Sequence, residues 1–193
     1  MMKTENKIIR MFLENRKSKT IREISRKIKS DYRITHTATK KLLDKNILLS
    51  KRVGKSILCE LNKDYFAYEI YLAESQRRDS LLKNSDLKQM YREIMEKVST
   101  SFFVFLVFGS FAKGKAKINS DIDLVFISNE TGFEKKIINI LSLTPLKTHA
   151  FVFSEKEFIR MKNSNKSNVI KEALEINIIL YGIPSFYRLK NAK

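Results

Sequence analysis

Cysteine occurs once, as Cys59, in a chain of 193 residues. A single thiol excludes an intramolecular disulfide and any cysteine-rich zinc site. Histidine occurs twice, as His36 and His149, too few for a histidine-dominated metal centre. Five glycines and two prolines exclude collagen-like and low-complexity chains. No apolar run reaches the roughly 20 residues of a membrane span; the longest is Phe102 to Phe108. The N-terminal lysines are not followed by the apolar stretch of a signal peptide. A soluble, cytoplasmic protein with no membrane partner is therefore expected. The composition is 43% hydrophobic and 31% charged, which suits a globular chain with at least one sizeable core.

Charge of one sign dominates. The formal net charge is +17, from 38 Lys and Arg against 21 Asp and Glu. Residues 1–63 hold 18 basic and 6 acidic side chains, a net of +12. Residues 64–193 hold 20 and 15, a net of +5. A uniformly basic surface would spread the excess evenly. Its concentration in one third of the chain points to a module that attracts a polyanion, and phosphate backbones are the usual one.

The first third alternates helical and extended signals. Ile8, Ile9, Phe12 and Leu13 recur at helical spacing and predict a first helix over about 4–15. Thr20 and Glu23 form a T-x-x-E capping box at the head of a second helix, with Ile21, Ile24 and Ile28 inward. A third helix follows the turn at 30–33. Ile34, Ala38 and Leu42 are spaced by four and are expected to be buried. Arg33, Thr35, His36, Thr37, Thr39, Lys40 and Lys41 are expected on its outer face. Hydroxyls and cations of that kind reach phosphates and base edges. Two apolar-rich runs around Gly54-Lys55 predict a hairpin with a basic tip at Lys51, Arg52 and Lys55.

Three short helices and a basic hairpin resemble the winged helix-turn-helix family over residues 1–63. The resemblance implies DNA as partner, with the third helix in the major groove and the hairpin near the backbone. Arg33, Thr35, Thr37, Lys40, Lys41, Lys51, Arg52 and Lys55 would be the contacts. A winged helix used for protein contacts is the alternative. Residues 64–99 hold neither Pro nor Gly and predict two connector helices broken near Asn84-Ser85. The first of them is a candidate homodimer contact.

The chemistry lies further on. Phe102 to Phe108 reads as a buried strand running into Gly109-Ser110. After a ten-residue spacer comes Asp121-Ile122-Asp123 at the head of a second apolar run. Alternation on a strand puts both carboxylates on one side. Their repulsion calls for a cation, and hard oxygen donors at this spacing suit Mg²⁺. Glycine lets a phosphate approach the backbone, and the Ser110 hydroxyl can donate to it. Gly109, Gly114 and Lys115 also fit most of a P-loop, but Ala116 stands where a P-loop carries Ser or Thr.

Gly109-Ser110, the spacer and Asp121-Ile122-Asp123 resemble the signature of the DNA polymerase beta-type nucleotidyltransferases, in their minimal single-domain branch. The resemblance covers residues 100–193. It implies that Gly109, Ser110 and Lys113 hold ATP or another nucleoside triphosphate. It implies that Asp121 and Asp123 bind Mg²⁺ and form the catalytic pair. The family usually adds a third carboxylate on a neighbouring strand. The strand expected there, residues 147–153, contains no acid and places His149 at that position. The expected fold class is α+β: a winged helix-turn-helix at 1–63, a helical connector at 64–99, and a mixed sheet with helices at 100–193. Two functions follow from it. One is nucleotidyl transfer to a hydroxyl acceptor; the other is a transcriptional regulator whose transferase-like domain binds nucleotide without turnover.

Overall fold

A computed structural model of the chain describes residues 3–117 and 120–192. It divides into two compact units, residues 1–74 and 75–193.

In the first unit, α1 (Thr4–Glu14) buries Ile8, Ile9, Met11, Phe12 and Leu13. Strand β1 (Lys19–Thr20) leads directly into α2 (Ile21–Lys27). The Thr20 hydroxyl accepts from the Glu23 amide, and the Glu23 carboxylate accepts from the Thr20 amide at 2.7 Å. That backbone bond, seconded by the Thr20 hydroxyl, holds the Glu23 carboxyl below its ordinary range. Asp31 caps α3 (Tyr32–Asp44) by accepting from the Arg33 and Ile34 amides. Strands β2 (Leu48–Val53) and β3 (Ser56–Leu61) form an antiparallel hairpin, and β1 adds to β3. Val53 pairs with Ser56, so the loop is the two residues Gly54-Lys55. Gly54 takes φ +58, the left-handed conformation that such short hairpin loops demand.

Helix α3 differs from its sequence reading. Its buried strip is Thr35, Ala38, Thr39 and Leu42, while Ile34 is 56% exposed. Thr35 and Thr39 are not on the outer face that the spacing predicts. Their hydroxyls instead donate to the carbonyls of Asp31 and Thr35, at 2.8 Å each. A threonine whose hydroxyl is bonded four residues back presents only a methyl group to the core. Thr35 is therefore withdrawn as a DNA contact.

Helix α4 (Tyr68–Leu81) and α5 (Ser85–Lys97) meet at Asn84, which caps α5 by accepting from the Asp86 and Leu87 amides. α5 supplies Leu87, Met90 and Ile94 to the core of the second unit, with Val98 just beyond its end, so this segment is more than a spacer. The elements that follow are β4 (Val104–Phe108), the single turn α6 (Gly109–Ala112), β5 (Ile122–Ile127) and α7 (Phe133–Leu141). Then come β6 (Thr148–Phe153), α8 (Glu155–Asn163), α9 (Val169–Glu175), β7 (Ile178–Tyr181) and α10 (Ile183–Asn191).

The sheet runs β6-β5-β4-β7. β4 is antiparallel to β5 and β7, and β5 is parallel to β6. The fold is α+β, with a mixed sheet in this unit. Phe105, Val107, Leu124 and Phe126 meet α5 and α7 in one cluster, where the Phe105 and Phe126 rings stack at 4.4 Å. Leu106, Val125 and Ile179 are buried on the opposite side of their strands. Helices α8 to α10 bury Phe158, Ile170, Ala173 and Phe186. Phe102 does not join β4. The ladder to β5 begins at Val104 opposite Ile127, and Phe102 is left 88% exposed.

Candidate active site

The site forms where β4 ends and β5 begins. β4 is apolar throughout because helices cover both sides of it. At its end the chain turns on Gly109, which takes φ +67. β5 returns antiparallel and sets Phe108 opposite Asp123. A Cβ built on Gly109 would collide with Asp123 Oδ2, so the turn backbone lies directly against that carboxylate. Ile122 is buried between two acids that stay partly open: the Asp121 and Asp123 side chains are 40% and 29% exposed. The alternation expected from the strand is thus present. Ser110 is half-buried, and among the described residues its hydroxyl has no hydrogen-bond partner.

The parallel register places His149 beside Asp123. Its Nδ1 lies 3.5 Å from Asp123 Oδ1, and its Nε2 lies 3.7 Å from Asp121 Oδ2. One imidazole therefore faces both carboxylates. The side chain is 61% exposed, since β6 is an edge strand. Phe151, two residues along β6, is also exposed, with its ring 6.2 Å from that of Phe108.

No third acid reaches the pair from the helix that follows β6. The Glu157 carboxylate is committed to the α8 cap, accepting from the Ser154 amide and hydroxyl at 2.8 Å each. The backbone bond first, then the hydroxyl, draws its carboxyl below the ordinary range. Among the described residues no three His, Cys, Asp or Glu side chains gather as a group suited to a metal ion. Two carboxylates still fit Mg²⁺, which takes one or two from a protein and completes its six ligands with phosphate oxygens and water. The donor set thus fits a cation brought in with a triphosphate rather than one held by the protein alone.

Lys113 follows α6 and pairs with Glu172 of α9, Nζ to Oε1 at 3.5 Å. The sequence points to the lysine and gives no sign of its partner, which lies 59 positions away by residue number. Helix α6 spans only four residues, whereas a P-loop glycine run opens a long helix; that alternative is set aside. Of the residues read as DNA contacts, Arg33, Thr37, Lys40 and Lys41 lie on α3, and all four are exposed. Lys51, Arg52 and Lys55 are exposed on the hairpin. Lys41 Nζ lies 3.8 Å from Glu5 Oε1.

Residues 89–184 match the family described as Polymerase beta, Nucleotidyltransferase. The match begins within α5 and takes in the Gly109-Ser110 turn, both aspartates and all four strands of the sheet. This part of the chain is a polymerase beta-like nucleotidyltransferase domain. No curated protein matches the chain. Among the described residues no helix is long and apolar enough to cross a membrane.

Proposed function

We propose that the second unit is a Mg²⁺-dependent nucleotidyltransferase that moves a nucleoside monophosphate from ATP, or another nucleoside triphosphate, onto a hydroxyl acceptor. The observation that carries the reading is the Gly109 turn seated against Asp123, with Asp121 just before β5 and both carboxylates within 3.7 Å of His149. Gly109 leaves room for a phosphate to approach the main chain, and the Ser110 hydroxyl is free to donate to it. Lys113 supplies a cation that Glu172 holds in place. Asp121 and Asp123 would hold Mg²⁺, and the cation would supply neutralisation of the triphosphate charge. The acceptor oxygen bonds to the α-phosphorus as the bond to the bridging oxygen breaks and pyrophosphate leaves. His149 faces both carboxylates and, when neutral, has one ring nitrogen able to take the hydroxyl proton.

A second reading is supported by β6, which offers His149 and no acid. On this reading the domain, lacking the third carboxylate, binds nucleotide and does not turn it over. Incubation with Mg²⁺ and ATP labelled at the α-phosphate, with and without cell extract, separates the two. Label that moves onto an acceptor with the native chain and not with an Asp121→Asn, Asp123→Asn variant supports transfer. Nucleotide bound without transfer of label supports the second reading.

The first unit is read as a winged helix-turn-helix that binds DNA. In support stand its net charge of +12 over residues 1–63 and the exposed cations of α3 and the hairpin. Joined to the second reading, this makes the chain a transcriptional regulator in which nucleotide and DNA affinity are reciprocally coupled. Charge reversal at Lys40, Lys41 and Arg52 is expected to weaken duplex binding at least about tenfold at low salt. It should also lower the slope of log affinity against log salt by about 2 to 3, close to one counterion for each lost phosphate contact. Fluorescence anisotropy over a salt series reads both. An unchanged affinity removes DNA binding from the account.

A further inference from the structure

Ile34 is one of the large apolar side chains that the first unit leaves exposed, and it stands on α3 among cations. The residue lies in the first turn of α3 and is 56% exposed, while the buried strip of the helix passes through Thr35, Ala38, Thr39 and Leu42. Arg33, Thr37 and Lys41 line with it an open groove of about 350 Å³, closed on the α1 side by Thr4 and Glu5, the latter 3.8 Å from Lys41. A surface that met only phosphates would gain nothing from an apolar side chain among its cations. The side chains that line the groove with Ile34 are mostly polar: the Arg33 guanidinium, the Thr37 hydroxyl and the Lys41 ammonium, with one carboxylate, Glu5. The apolar group that a DNA major groove offers is the C5-methyl of thymine. The N-terminal residues of a recognition helix are those that reach base edges.

We propose that Ile34 is a specificity-determining residue that packs against a thymine methyl in the major groove, while Arg33 and Lys41 engage the flanking phosphates or base acceptors. The inference rests on the reading of the first unit as a DNA-binding module, and the net charge of +12 over residues 1–63 argues for DNA as the occupant. It gives Ile34 a role separate from the cations: they set affinity for any sequence, and it sets preference among sequences.

The test uses the full chain. A preferred duplex is first selected from a randomised pool. Affinity is then measured on that duplex and on versions in which each thymine in turn is replaced by deoxyuridine, which removes only the methyl group. At one position the native chain should lose about fourfold, the scale of one buried methyl. Ile34→Ala should lose a similar factor on the thymine duplex and show no further loss with deoxyuridine. Ile34→Val should retain the discrimination. Binding to random duplex and its salt slope should be the same in all three. If no deoxyuridine position matters, or if Ile34→Ala keeps the full methyl effect, the proposal is overturned while DNA binding stands. If the native chain binds no duplex at low salt, the underlying reading fails and the proposal with it. If Ile34→Ala shifts a monomer–dimer equilibrium and leaves DNA affinity alone, the groove is a self-contact and the proposal is again overturned.

Discussion

Replacement of Gly109 by alanine is expected to remove Mg²⁺-nucleotide binding and to destabilise the second unit. Two physical effects act together. The first is backbone conformation: Gly109 holds φ +67, where a Cβ crowds the following carbonyl at a cost of about 1–2 kcal/mol. The second is the collision of the new methyl group with Asp123 Oδ2. Asp123 is fixed by its ladder position opposite Phe108, so the carboxylate must rotate away from the turn or the strands must part. Either response dismantles the arrangement on which binding depends. Gly132→Ala separates the effects. Gly132 has φ +78 and open space where its Cβ would stand, so it carries the conformational cost alone. A loss of thermal stability in both variants, larger at Gly109, with nucleotide affinity lost only there, is the expected pattern. Nucleotide affinity retained in Gly109→Ala would show that the turn does not approach the ligand.

The paired change Asp121→Asn and Asp123→Asn should cost at least about 100-fold in Mg²⁺-nucleotide affinity, more than the loss of groups that merely support metal ligands. Asparagine keeps the volume and removes the charge. Both side chains are partly exposed, and two carboxylates on one side of a strand repel each other in the free protein. The melting temperature should therefore hold or rise slightly. A fall in affinity without a fall in stability marks a binding role. Loss of both would make the pair structural, held in place through His149. Affinity unchanged in a folded variant would remove the site from β5 altogether.

Most of the site is legible in the sequence because its signals are local. An apolar strand, a glycine turn and alternating acids are each visible within a few residues, and the antiparallel return of β5 is what brings them together. The capping box at Thr20 and the helix start at Ser154 are readable for the same reason. Helix α3 is less legible. Ile34, Ala38 and Leu42 are spaced evenly by four, yet the helix turns Ile34 outward and buries Thr35 and Thr39 instead. Only a hydroxyl bonded to a carbonyl four residues back reconciles threonine with burial, and the sequence does not show that bond. Glu172 is invisible as a partner of Lys113 because their meeting depends on α9 packing beside β4. The exposure of Phe102 likewise depends on where the ladder to β5 starts.

The family resemblance implies that His149 stands at the third position of the site, and the parallel pairing of β5 with β6 puts it beside Asp123. What it does there separates a transferase from a nucleotide-binding regulator, and both readings require the same cation-dependent site. Calorimetric titration of ATP into the full chain, once with Mg²⁺ and once with chelator, tests that site most directly. The account predicts saturable binding with Mg²⁺ that is lost on chelation and in the Asp121→Asn, Asp123→Asn variant. Binding of equal strength with and without Mg²⁺, or none in either condition, would contradict it.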